Sequence, residues 1–286
     1  MRWNLATKTR GGTQLWTDHL YRDGYRIQQH AVIGHWRLLD AQNIRRAWGK
    51  RATCQQALDK LHPATPDDGA PQHVVILLHG LMRTHHCMKS LAVKLGDAGY
   101  PNVIRFAYAS TRGSIGDHAA ALRDLVEALP PQTQLSFVGH SMGNIVVRHM
   151  LGDLARERDS HGILSRCQSM VMLGPPNQGA AIARRLATTG LYGIVTGKGG
   201  LELGWEWQEF ADRLAVPHFP FAIIAGDMSH KKLQNPLVDR TGDYIVGVDE
   251  ARLGGSKFFG TVPVLHSLLM TDEGVQDSTI EFLKAH

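Results

Sequence analysis

A chain of 286 residues, 43% hydrophobic and 20% charged, can bury one large α/β core or two small ones, and its composition is that of a soluble globular protein. No run approaches the roughly 18 apolar residues of a membrane-spanning helix. The basic residues 1–10 lack the apolar core and cleavage site of a secretory signal, so a cytoplasmic location is expected.

The net charge of +5 reads as basic residues dispersed along the chain without a stripe, and no nucleic-acid partner is expected. Three cysteines, Cys54, Cys87 and Cys167, are odd in number and far apart, which excludes a disulfide framework and a zinc motif. Sixteen histidines include no H-E-x-x-H and no cluster at ligand spacing, so no metal or organic cofactor is expected.

In chain order, residues 1–70 read as an N-terminal extension. Segments 13–18, 25–31 and 35–40 alternate polar with apolar residues around Asp23-Gly24 and Ile33-Gly34, which predicts an antiparallel meander packed on the edge of a larger sheet. A basic amphipathic arm on a membrane surface is the alternative. A helix over 52–61 and a loop over 62–71 follow. From residue 74 onward apolar runs alternate with helical patterns, the signature of a parallel sheet flanked by helices. Strands are predicted at 74–78, 103–107, 135–138, 169–173, 221–225 and 257–262, with helices near 86–97, 115–129, 143–156 and 275–285. The long connection over about 175–217 contains glycines and the aromatic segment 205–210; it reads equally as a lid over acyl chains or as a packed excursion.

Gly139-His140-Ser141-Met142-Gly143 lies between the strand 135–138 and a helix. A serine there must adopt a strained turn that exposes its hydroxyl, and the following helix presents free N–H groups beside it. Ser141 is therefore the candidate nucleophile. Directly after strand 74–78, His79-Gly80-Leu81-Met82 supplies a turn whose amides can face the serine. Leu81, preferred over Met82, and Met142 are the candidate oxyanion donors.

These two segments, together with Leu173-Gly174-Pro175-Pro176-Asn177-Gln178-Gly179, resemble an α/β-hydrolase and, within that fold, bacterial lipases and esterases. The resemblance covers about 71–286; Pro175 stands where Thr is usual. It implies a mostly parallel central sheet, a Ser-Asp-His triad in that chain order, and hydrolysis of carboxylic esters through an acyl-enzyme. Asp243 matches the family's D-x-x-V pattern, and Asp227, at the end of the preceding strand, is the alternative acid. Beyond Asp243 only His266 and the terminal His286 remain, and His266 has the family's position for the base. His140 is set aside, because adjacent side chains on the elbow diverge. The expected substrate is a small-molecule or lipid ester, with peripheral contact at a lipid interface. A phospholipase, lipid deacylase or acyltransferase is the alternative enzyme, and a ligand receptor that has kept the fold is the non-catalytic one.

Overall fold

The computed structural model describes residues 6–63, 72–179, 202, 207–229, 242–243 and 245–286. Its centre is a six-stranded parallel sheet built from β6 (His73–Leu78), β7 (Asn102–Phe106), β8 (Gln134–His140), β9 (Cys167–Leu173), β10 (Phe221–Gly226) and β11 (Phe258–Val262). The strand order is β11-β10-β9-β8-β6-β7. In β6, Val75 through Leu78 are fully buried, as strands covered on both faces must be. One face packs on α3 (Ile115–Glu127) and α4 (Met142–Arg156) through Leu122, Leu125, Ile145 and Met150. The other packs on α2 (Lys89–Asp97) and α8 (Glu273–Ala285) through Leu91, Leu95, Val275 and Leu283. A capping box between Ser114 and Asp117 starts α3, satisfying amides that the helix itself cannot. Short helices α5 (Ile163–Arg166), α6 (Trp207–Ala211) and α7 (Val248–Ala251), and single 3-10 turns at His85–Met88 and His266–Leu268, lie in the connections.

The predicted meander forms a sheet of its own. β1 (Thr7–Lys8), β2 (Trp16–Arg22), β3 (Tyr25–His30), β4 (Trp36–Leu39) and β5 (Ile44–Gly49) run antiparallel in the order β1-β5-β4-β3-β2. Helix α1 (Arg51–Leu61) covers one face, closing a small core of Leu20, Ile27, Leu38, Ala47, Cys54 and Leu58. The contact with the parallel sheet is brief. Asp18 N–H donates to Ala107 O at 2.8 Å, just beyond β7, and the Asp18 carboxylate then accepts the Ala107 N–H at 2.8 Å. That side chain takes the donor a further ladder rung would need, and β2 shifts register between Asp18 and Leu20. The ladder therefore stops, and the meander does not become extra strands of the larger sheet. Asp124 of α3 accepts from His19 of β2 at 2.8 Å and Arg51 of α1 at 3.0 Å, bracing the two layers.

In the long connection, Trp207 and Phe210 are buried in the main core, with Phe210 stacked on His149 of α4. The packed reading holds for these two rings. Residues 180–201 and 203–206, on which the rest of the lid expectation falls, lie outside the described residues. No described helix is long and apolar enough to cross a membrane.

Candidate active site

β8 runs into α4 through Ser141, which has φ 52° and ψ −124°. A non-glycine residue holds such a conformation only where its surroundings enforce it. Both flanking glycines are sterically required. A Cβ at Gly139 would lie 2.2 Å from Asn144 Oδ1, and one at Gly143 would lie 2.7 Å from the Leu78 carbonyl oxygen. The turn is pinned by Ser141 N–H donating to Leu173 O at 2.9 Å, and by Asn144 N–H donating back to Ser141 O at 3.1 Å. Among the described residues the Ser141 hydroxyl has no hydrogen-bond partner; contacts of this kind often tighten only when substrate binds.

Asp243 and His266 meet on loops beyond β10 and β11. His266 Nδ1–H donates to Asp243 Oδ2 at 2.6 Å, and both residues are buried, at 5% and 2% exposure. The other carboxylate oxygen, Oδ1, accepts from Ile245 N–H at 3.1 Å and Val246 N–H at 2.8 Å. With Nδ1 donating, the Nε2 of a neutral His266 ring carries the lone pair. Asp227 is used differently: its Oδ1 accepts Ser229 N–H at 2.9 Å, closing its own turn.

Two strand-end glycines make room for this pair, and the sequence reading did not single them out. A Cβ on Gly174, after β9, would sit 3.0 Å from His266 Nδ1. A Cβ on Gly226, at the end of β10, would sit 2.5 Å from Asp243 Cβ and 2.4 Å from the Val264 carbonyl oxygen. A glycine ending each of two neighbouring strands is the signal that was available. Asn177, in the third motif, bridges Arg148 of α4 at 3.0 Å and the Ala251 carbonyl at 2.8 Å. It ties α4 to α7.

The loop after β6 lies against the elbow, since a Cβ on Gly80 would approach Ser141 Cβ to 3.0 Å. Met82, exposed in this loop, has φ 59°. The amides of Leu81 and Met142 have no acceptor among the described residues; Met142 is the first residue of α4, whose opening N–H groups have no partner within the helix. Beneath the loop, Tyr108 O–H donates to the His79 carbonyl, and its ring stacks on the His79 ring with centroids 4.1 Å apart.

His140, set aside as a base, has a positioning contact. Its Nε2–H donates to the His266 carbonyl oxygen at 2.9 Å, joining the elbow to the loop that carries the imidazole. Burial, and then the nearby His266, hold His140 well below the ordinary histidine range, so the ring stays neutral.

Burial also lowers His79 to about 4 and His118 to about 3. In the unfolded chain these groups titrate near ~6.5. Below that pH the unfolded chain binds protons that the folded one refuses. The corresponding stability is therefore complete above about 6.5 and falls as the pH drops toward 4, by as much as about 1.4 kcal/mol per pH unit for each histidine. Asp18, whose carboxyl burial raises, opposes this with a single proton. Tm should decline steadily between about pH 6.5 and 4; a flat Tm in calorimetry across that window would contradict a neutral buried cluster.

Among the described residues no group of His, Cys, Asp or Glu is placed to hold a metal ion. The thiols are free, and burial pushes Cys54 up to about 11 and Cys167 up to about 12, which makes both poor nucleophiles.

A family model described as "Putative serine esterase (DUF676)" matches residues 69–187, less than half of the chain. Among curated proteins, none matches this chain in sequence. Among solved structures, the mature form of the lipase BlEst2 from Bacillus licheniformis is similar at 18% identity and TM-score 0.53, over 77% of this chain and 94% of that one. The lin2722 gene product of Listeria innocua is similar at 17% identity and TM-score 0.51, over 75% and 95%. The metagenomic carboxyl esterase MGS0156 is similar at 14% identity and TM-score 0.53, over 75% and 76%. The chain has the α/β-hydrolase fold and is similar to bacterial lipases and esterases.

Proposed function

We propose that the chain is a serine hydrolase that cleaves carboxylic esters through an acyl-enzyme. The observation that carries this reading is the buried 2.6 Å Asp243–His266 pair, on loops beyond β10 and β11, tied through the His266 carbonyl to the elbow that holds Ser141 at φ 52°. The match to a serine esterase family model over residues 69–187, which include the elbow, supports the same chemistry.

In the proposed reaction Ser141 Oγ attacks the ester carbonyl carbon while His266 Nε2 accepts the hydroxyl proton. Asp243 keeps the imidazole in the tautomer with Nδ1 protonated and stabilises the imidazolium that forms. The carbonyl oxygen becomes an oxyanion that accepts from the Leu81 and Met142 amides. The tetrahedral adduct collapses, His266 returns the proton to the departing alkoxide, and an alcohol leaves. Water then repeats the sequence on the acyl-serine, releasing the acid and restoring Ser141.

A series of p-nitrophenyl esters from acetate to laurate tests the reading. Saturable turnover of at least part of the series is expected, and the acyl length with the highest kcat/KM reports the size of the acyl pocket. Folded protein that turns over none of them would overturn the ester assignment.

A further inference from the structure

The N-terminal sheet contributes no residue to the proposed chemistry, yet it carries the charge of the molecule. Residues 1–70 hold eleven Lys and Arg against six Asp and Glu, while residues 71–286 hold twenty of each, so the whole net charge of +5 lies in the first seventy residues. The expectation of dispersed basic residues is corrected by that count: the catalytic portion is balanced and the extension is not.

The same sheet has an apolar tip. In the β3–β4 hairpin every residue from 31 to 35 is exposed, with Val32 at 64% and Ile33 at 57%. Leu15, 40% exposed, lies beside them, because Ala31 N–H donates to Leu15 O at 2.9 Å. Adjacent large apolar side chains held out into solvent at a hairpin tip need a nonaqueous partner to be useful.

Three of the six tryptophans frame this end of the sheet. Trp16 opens β2 opposite His30, Trp36 opens β4 opposite Gly49, and Trp48 packs edge-on to Trp16 with centroids 5.5 Å apart. Cations lie over the two half-buried rings, Arg45 at 5.2 Å from Trp48 and Arg51 at 5.2 Å from Trp36, whereas Trp16 and the Arg37 guanidinium stacked on it at 3.9 Å are buried. Lys50, next to the Gly49 that pairs with Trp36, and Arg112, which lines a cavity together with Val32 and Gly34, are exposed at this end. Apolar tips surrounded by amphipathic rings and cations match the layered polarity of a membrane surface, with its apolar interior, interfacial belt and anionic headgroups.

The tip is also tied to the serine's side of the parallel sheet. Gln14, next to Leu15, donates through its side-chain amide to the Arg83 carbonyl, and its Oε1 accepts the Thr111 N–H at 3.1 Å. Both partners lie on loops that follow the C-terminal ends of β6 and β7. Met82, 57% exposed, is on the first of these loops, beside the Leu81 amide.

We propose that the hairpin end of the N-terminal sheet, Leu15 with Val32 and Ile33, docks on an anionic lipid bilayer and brings the mouth of the serine site to its surface. Nucleic acid would answer the cations but not the exposed Val32 and Ile33. The proposal deepens the lipid-ester side of the proposed function, but its binding readout does not depend on turnover.

Co-sedimentation of the full chain with phosphatidylcholine vesicles, with or without about one third phosphatidylglycerol, tests it. At least about a tenfold preference for the anionic vesicles is expected. Val32→Asp combined with Ile33→Asp should lower that partitioning by about tenfold or more, with p-nitrophenyl butyrate turnover unchanged. A double variant that partitions like the unmodified chain would overturn the docking surface, and so would an unmodified chain that stays in the supernatant. Binding to duplex DNA with indifference to vesicles would assign the charge to nucleic acid instead. Vesicle binding without any ester turnover would keep the surface and remove the esterase reading.

Discussion

Replacing Ser141 with alanine should lower p-nitrophenyl butyrate turnover by about a million-fold, leaving only what the binding pocket and the oxyanion amides contribute without a nucleophile. The substitution isolates the hydroxyl. Alanine keeps the Cβ, so the 3.0 Å approach to Gly80 and the Ser141 N–H bond to Leu173 O are undisturbed. The backbone strain at φ 52° is also common to both residues. Because Oγ makes no hydrogen bond among the described residues, its removal breaks none. Unchanged far-ultraviolet circular dichroism and a Tm within a few degrees should therefore accompany the lost activity. Retained turnover would take Ser141 out of the mechanism; loss of turnover together with unfolding would point to a role for Ser141 in folding.

The second large effect is expected at Asp243. Asn at this position should reduce kcat by about 10⁴-fold, because a carboxamide cannot serve both sets of donors that the carboxylate accepts. Oδ1 takes the Ile245 and Val246 amides while Oδ2 takes His266 Nδ1–H. If the amide oxygen stays with the backbone, the NH₂ group faces Nδ1 and favours the tautomer with Nε2 protonated. That tautomer cannot accept the serine proton. If the amide flips, two backbone donors near a buried residue face an NH₂ instead, at a stability cost of about 1–3 kcal/mol. Asp227→Asn supplies the comparison. Its carboxylate oxygen Oδ1 serves Ser229 N–H, and a change of only a few-fold in kcat is expected. A reversal of the two effects, measured by steady-state kinetics on folded variants, would move the acid to Asp227.

How far the site was legible depends on where each constraint resides. The strands of the parallel sheet could be read because burial on both faces forces continuous apolar runs such as Val74-Val75-Ile76-Leu77-Leu78. The elbow could be read because its glycines are needed within one turn of chain. Gly174 and Gly226 could be noted as strand-ending glycines but their role could not be read, since the atoms they would strike belong to His266, Asp243 and Val264, distant in sequence and brought close only by the order of β9, β10 and β11. The His140–His266 contact belongs to the same class. It joins residues 126 positions apart through a backbone oxygen, which leaves no trace in residue type.

The N-terminal sheet shows the opposite case, information that was present but carried by a weak pattern. Ile44–Gly49 was not expected as a strand, because Arg45-Arg46 breaks the polar–apolar alternation and the pairing with β4 shifts register between Leu38 and Leu39. Where the two sheets meet, buried side chains of β2 occupy backbone amides beyond β7, Asp18 that of Ala107 and Thr17 that of Ala109. Nothing local distinguishes that aspartate from a surface one. The concentration of net charge in the first seventy residues needed only a count by segment.

The central claim is that Ser141 is a nucleophile activated by His266. Intact-mass and peptide mass spectrometry after exposure to a fluorophosphonate tests it most directly, because the reagent forms a stable phosphonyl ester only with an activated serine. A single adduct on the peptide containing Ser141, absent in Ser141→Ala and strongly slowed in Asp243→Asn, is the predicted result. Folded protein that remains unlabelled, or an adduct on another residue, would contradict the account.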